Sequence, residues 1–438
     1  MKTRFILTKS AFFGIMLLTV SALTAQAQRP VAAKHPRAVI NMALYIANSS
    51  DGTISQYRIK KDGSLEPLLP PTVPAGRGGI NNLVIDHSRH FAYGLDTSSS
   101  LVFQYRIAAG GQLEALLPPD VKVGKSYYGN LYITPNGKFA YCPNSKDNII
   151  SQFSVQPDGK LKPLSPPTAS AGKGPAALLA TPDNKYLYCA DYEGHAISEF
   201  SINANGQLIQ LGASLPLSAQ PTSLSFSPRQ KILYCGNVSP GSISQFQIGA
   251  DGRLTELAPA ISLGADDSGF LLLHPATRSA YITDAGQTIF QFHLNADETL
   301  TPLSPAKIIL PGGPATQIQI CDTKATTARS EENSFLYANL QFTKELVQFR
   351  IQADGTLMAL TPNTVDNFDH KPQSLRVDPT GRFVYVVNDM SATISQFRVS
   401  PTGQLVPLSP ATVPTGSGSS RITIVTLPTS APAPLKPK

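Results

Sequence analysis

The chain has 438 residues, a formal charge of +7 and no tryptophan. The charge lies in the flanks: residues 1–27 hold three cations and no acid, and without them and the basic ends, residues 40–425 sum to −1. A near-neutral folded part of this length excludes a general polyanion binder such as a nucleic-acid protein, and its length allows a large core.

The first stretch, MKTRFILTKSAFFGIMLLTVSALTAQAQ, has a basic leader (Lys2, Arg4, Lys9), a short apolar run and a small-residue Ala-Gln-Ala site at 25–27. It reads as a secretory signal peptide over 1–27, so the expected location is exported, periplasmic or extracellular. No later run is apolar enough to span a bilayer. A lead-in follows over 28–40.

From there one unit repeats. Its last copy, FVYVVNDMSATISQFRVSPTGQLVPL (383–408), reads as three short strands joined by tight turns, and SLRVDPTG (374–381) supplies a fourth strand before it. Tyr45, Tyr93, Tyr141, Tyr188, Tyr234, Tyr281, Tyr337 and Tyr385 mark the copies, 46 to 48 residues apart except for one longer step. Eleven residues after each (ten after Tyr281) stands Gln56, Gln104, Gln152, Glu199, Gln245, Gln291, Gln348 or Gln396, always followed by an aromatic residue. A Gly-containing turn comes next, as in Asp62-Gly63 and Asp158-Gly159, with Asp297-Glu298 as the departure.

Seven inner strands precede the later Tyr strands: NNLVID (81–86), GNLYIT (129–134), AALLAT (176–181), TSLSFS (222–227), GFLLLH (269–274), TQIQIC (316–321) and SLRVD (374–378). The first Tyr strand, ALYIAN, has none before it, and SRITIV (420–425) is left over at the other end. The fold expected is all-β: a β-propeller of eight four-stranded antiparallel blades over 41–425, closed by the C-terminal strand. DTKATTARSEENS (322–334) accounts for the longer step as a surface insertion, and 426–438 forms a Pro-rich disordered tail.

Cys142, Cys189 and Cys235 follow the repeat Tyr in three successive copies. Rotation separates such positions, so buried free thiols are expected rather than disulfides. The Asn or Asp that stands three after the Tyr in seven copies of eight, Asn48 and Asp96 among them, suits turn bonding better than a metal. No metal-ligand spacing and no cofactor motif appears. The recurring Gln is expected to bond across strands or blades, and Glu199 in its place to be exposed, paired or protonated with a raised pKa.

YVVN at 385–388, after DPTGRF (378–383), resembles the YVTN-type repeat. The whole of 41–425 resembles the propeller lactonase family, which includes 6-phosphogluconolactonase-like and carboxymuconate-cyclase-like members. That resemblance implies a propeller fold and a lactone hydrolase acting on an anionic lactone. The family is usually seven-bladed, whereas eight units are counted here, and no loop matches its catalytic stretches closely enough to carry a residue over.

The candidate ligand-binding residues lie in loops leading from an outer strand into the next inner strand. Arg77, Lys125 and Lys173 occupy equivalent places in three consecutive copies and are expected to form a cationic arc at the channel mouth. Asp266, Asp267 and Asp369 are expected across from it, with His370 and Lys371 beside Asp369. The arc suits an anionic small molecule or an acidic partner, although the same loops also suit plain solvated charges. Two readings follow: a binding propeller, or a hydrolase in which His370 or Asp369 activates water while a cation holds the substrate anion.

Overall fold

The computed structural model describes residues 41–76, 78–80, 82–126, 129–264, 269–284, 286–323, 333–369 and 371–428. The expected signal peptide, the lead-in up to residue 40, most of the insertion after Thr323 and the tail beyond 428 lie outside the described residues.

The described residues form eight separate antiparallel sheets and no helix. Blade 1 joins Met42–Asn48, Thr53–Ile59 and Leu65–Pro74 to Ser419–Thr426. The C-terminal strand pairs antiparallel with the first Tyr strand, placing Tyr45 opposite Thr423. The ring is therefore closed as the repeat count requires. Blades 2 to 8 each run from inner to outer strand in chain order. Blade 8, for example, is Pro372–Val377, Phe383–Asn388, Thr393–Val399 and Leu405–Pro414.

Burial falls from the middle of each blade outward. The Tyr strand Phe383–Asn388 is buried at every position, because neighbouring blades cover both of its faces. The outer strand Leu65–Pro74 is mostly exposed. Inner strands of successive blades pack against one another around the central channel.

The two repeat markers each fasten one blade to the next. The Tyr45 hydroxyl donates to the Gly111 carbonyl of blade 2 at 2.6 Å, and all eight Tyr residues make the equivalent bond, ending with Tyr385 to Gly63 at 2.7 Å. Gln56 Oε1 accepts from Leu113 N of the next blade at 2.8 Å, and its Nε2 donates to Pro70 O at 2.7 Å. Gln396 closes the set by accepting from Leu65 N at 2.7 Å. Sixteen positions thus meet buried polar groups with a defined partner in the next blade.

Gly63 shows why the turn needs glycine. Its φ is +88°, and a Cβ there would lie 2.1 Å from the Phe383 ring of the preceding blade. In blade 6 the departure, Glu298, also has positive φ (70°) but sits where blade 5 offers Ile232 instead of an aromatic ring. The Glu298 carboxylate is buried and turns back to blade 5, accepting from Ser227 Oγ and Arg229 N, both at 2.7 Å.

Glu199 is buried and takes up the Gln role in part, accepting from Leu254 N at 2.8 Å. Its blade, like that of Gln245, has a broken outer strand, Leu208–Gln210 then Leu215–Pro216, in place of the continuous outer strand whose Pro carbonyl takes the Nε2 proton in the other six blades. A side chain with acceptors only is tolerated there, and burial raises its pKa. All four cysteines are free and buried, and burial pushes the Cys142 thiol up to about 12.

Candidate functional site

In each blade the turn from Tyr strand to Gln strand and the loop from outer strand to the next inner strand share one face, because the four strands alternate in direction. The described sequence-derived candidates, Lys125, Lys173, Asp369 and Lys371, lie on that face. Arg77, Asp266, Asp267 and His370 lie outside the described residues.

Lys125 and Lys173 are exposed in loops leading into blades 3 and 4. Their backbones are fixed: Lys125 N donates to Asp147 Oδ2 at 2.6 Å, and Lys173 O accepts from Gly194 N at 2.8 Å. Among the described residues neither ammonium is in an ion pair. The structure brings these two cations to neighbouring blades, as equivalent positions must be.

Asp369 and Lys371 lie on the far side of the ring, in the loop leading into blade 8. Asp369 Oδ2 accepts from Thr393 Oγ1 at 2.5 Å, which orients the carboxylate. Lys371 Nζ pairs with Asp389 Oδ2 at 2.9 Å, so its charge is met within the blade.

Two residues that loop-based reasoning passed over are Arg376 and Arg421. Arg376 lies on the inner strand of blade 8 and Arg421 on that of blade 1, and these strands touch, with Ile422 N donating to Ser374 Oγ at 3.3 Å. Both side chains are half-buried. Arg376 Nη1 donates to its neighbour Leu375 O at 3.1 Å. No carboxylate among the described residues pairs with either guanidinium. Burial, and then the nearby Arg421 charge, lowers the Arg376 pKa to about 10, and burial lowers that of Arg421. Two crowded like charges without a counter-ion are costly, since buried charges in proteins are ordinarily paired. The signal was present in the sequence: SLRVD and SRITIV are the only inner strands that carry a cation.

A further buried acid stands on the same face in blade 4. Asp191 is fully buried, accepts from Ser198 Oγ at 2.5 Å through Oδ2, and has no partner for Oδ1. Burial raises its pKa to about 6, so it holds a proton under mildly acidic conditions. The equivalent position is Asn48, Asn144, Asn237 or Asn388 in four other blades, each donating to a Ser hydroxyl on the paired Gln strand where the sequence predicts a bond to the turn backbone. Among the described residues no group of His, Cys, Asp and Glu is arranged to hold a metal ion.

A family model described as a lactonase, seven-bladed β-propeller, matches residues 42–219, 163–268 and 270–420. The periplasmic gluconolactonase of Pseudomonas aeruginosa is similar in structure, with 18% identity, a TM-score of 0.52, and 89% of this chain and 100% of that one covered. A candidate 6-phosphogluconolactonase of Bacteroides fragilis gives 17% identity, a TM-score of 0.54, and coverage of 90% and 100%. AztD of Citrobacter koseri gives 11% identity, a TM-score of 0.57, and coverage of 88% and 98%. At such identities the likeness is one of fold. No curated protein matches the sequence.

Proposed function

From the premise that this chain belongs to the lactonase β-propeller family, here with eight blades, we propose that it binds a small organic anion in the central channel, against Arg376 and Arg421. The observation that carries this reading is the pair of guanidiniums on touching inner strands with no carboxylate partner among the described residues. A carboxylate or phosphate would relieve their mutual repulsion and fit the planar donor fork of arginine. Lys125 and Lys173 add a second pair of cations on the same face, with Arg77 at the equivalent place in the sequence, suited to drawing anions toward the mouth at low ionic strength. The leader-like residues 1–27 support an encounter outside the cytoplasm.

The test is calorimetric titration with gluconate at low salt. Arg376→Gln with Arg421→Gln should weaken binding at least tenfold while leaving the melting temperature unchanged or higher, because two uncompensated charges are removed. Undiminished affinity in that variant would remove the channel as the site. The triple alanine variant of Arg77, Lys125 and Lys173 should instead reduce the association rate and its salt dependence.

Hydrolysis of an anionic lactone is the second reading. It is favoured by Asp369, which stands in the loop leading into the strand that carries Arg376, so that a carboxylate and one of the two clamping cations come from one blade. His370, next to it in sequence, is the other candidate base. A pH-stat assay on gluconolactone tests this. A rate unchanged by Asp369→Asn would exclude that carboxylate as the general base.

A further inference from the structure

The loop-bearing face is chemically lopsided. Five residues after the repeat Tyr, blades 1 to 6 place Ser50, Ser98, Lys146, Glu193, Ser239 and Gly286. Blades 7 and 8 place Phe342 and Met390 there, 76% and 74% exposed. Phe270, which precedes the inner strand of blade 6, is 67% exposed, and Phe368, in the loop leading into blade 8, is 37% exposed. The remaining large exposed apolar side chains among the described residues lie on outer strands or beside them, at the rim. All four on the loop-bearing face therefore fall within blades 6 to 8.

Phe368 is a built feature and not a stray side chain. It holds a left-handed backbone (φ 67°), its N–H donates to Asp366 Oδ1 at 2.7 Å, and its ring stacks on Phe397 with centroids 6.1 Å apart. Holding an aromatic residue in that conformation at the surface costs energy, which makes a solvent-only role a poor account of it. The same loop continues into the strand bearing Arg376, and the next blade bears Arg421. Exposed apolar surface and unpaired positive charge thus share one sector of the ring.

We propose that the ligand is an amphipathic carboxylate: its anionic head meets Arg376 and Arg421, and its hydrocarbon chain lies over Phe270, Phe342, Phe368 and Met390. This rests on the anion-binding reading above and narrows its ligand class. Charge complementarity selects the head, and the one-sided apolar sector selects the tail. The polar residues at the equivalent turns of the other blades leave that sector as the place for it.

The experiment compares acetate with octanoate on the full chain by calorimetric titration. Each methylene moved from water to an apolar surface is worth about fourfold in affinity, so burial of only two gives octanoate more than tenfold over acetate. Phe342→Ser with Met390→Ser installs the residue type that blades 1, 2 and 5 carry, and both sites are exposed, so the melting temperature should hold. That variant should shrink the octanoate preference below threefold and leave acetate affinity unchanged. Equal affinity for the two acids in the native chain, or an undiminished preference in the variant, would overturn the amphiphile while gluconate binding kept the anion reading alive. Absence of binding by gluconate, acetate and octanoate alike would remove both. Co-sedimentation with phosphatidylglycerol vesicles, without saturable octanoate binding, would mark the sector as a membrane contact and overturn the proposal.

Discussion

Asp191→Asn should make the protein more stable at neutral pH, and the reason can be worked through. The Asp191 carboxyl is raised from 3.8 to about 6 by burial. The folded state therefore holds its proton more tightly than the unfolded chain. This group's contribution is most favourable below pH 4, declines as pH rises through the folded value near 6, and is lost above it. A shift of roughly two units at about 1.4 kcal/mol each makes the penalty on the order of 3 kcal/mol at pH 8. Asparagine carries no charge to desolvate, and a partner is already in place: Ser198 stands where Ser55, Ser151, Ser244 and Ser395 accept from the asparagines of other blades. With an unfolding entropy of about 2.1 cal/mol/K per residue, the gain is roughly 3–4 °C for a domain of this size. Melting curves of both proteins from pH 4 to pH 8 should nearly coincide at the acid end, diverge as pH rises from about 4 to about 6, and run parallel above that. Curves parallel over the whole range, or a less stable variant at pH 8, would show that the carboxylate is compensated in the fold and that the argument from burial fails.

The glutamine clasp gives a pair of opposite expectations. Gln56→Glu turns a donor into an acceptor against Pro70 O and should cost about 1–3 kcal/mol at pH 8, less at pH 4, whereas Glu199→Gln should be neutral or stabilising because that blade has no such carbonyl to lose. Chemical denaturation at both pH values reads the two changes, and similar costs for both would refute the account of Glu199. Removing residues 419–438 should abolish cooperative melting, since it strips the partner from Met42–Asn48 and opens the ring. A truncated chain that melts like the full one would show that the seam carries little of the stability.

The ring was legible because its markers are periodic. Tyr and Gln recur at fixed offsets, and the unpaired strands at the two ends could only be matched to each other. What the markers do was less legible. Tyr45 meets Gly111, sixty-six residues away, and such a partner is found only once blade-to-blade register is known. The loop cations stood out because their positions repeat. Arg376 and Arg421 belong to the same repeat but occupy different levels of it: Arg376 lies opposite Tyr385, while Arg421 lies opposite Ala47. No alignment of the copies brings them into one column. Their lack of a counter-ion is a fact of three-dimensional surroundings that one sequence does not carry. The apolar sector was hidden for a related reason, since Phe342 and Met390 read as ordinary turn residues until the equivalent turns are compared around the circle.

Met42 sits opposite Thr426, so the two ends of the propeller leave blade 1 side by side. Every boundary between blades is crossed by a covalent peptide, and blade 1 alone holds itself together across a gap in the chain, between its C-terminal strand and its first Tyr strand. The position of that gap is a matter of ancestry more than mechanics, because the Tyr and Gln bonds join blade 8 to blade 1 as they join any other pair. A circularly permuted gene, with residues 42 and 426 joined by a short linker and new termini opened in the 324–332 segment, should encode the same ring with its break moved to blade 7.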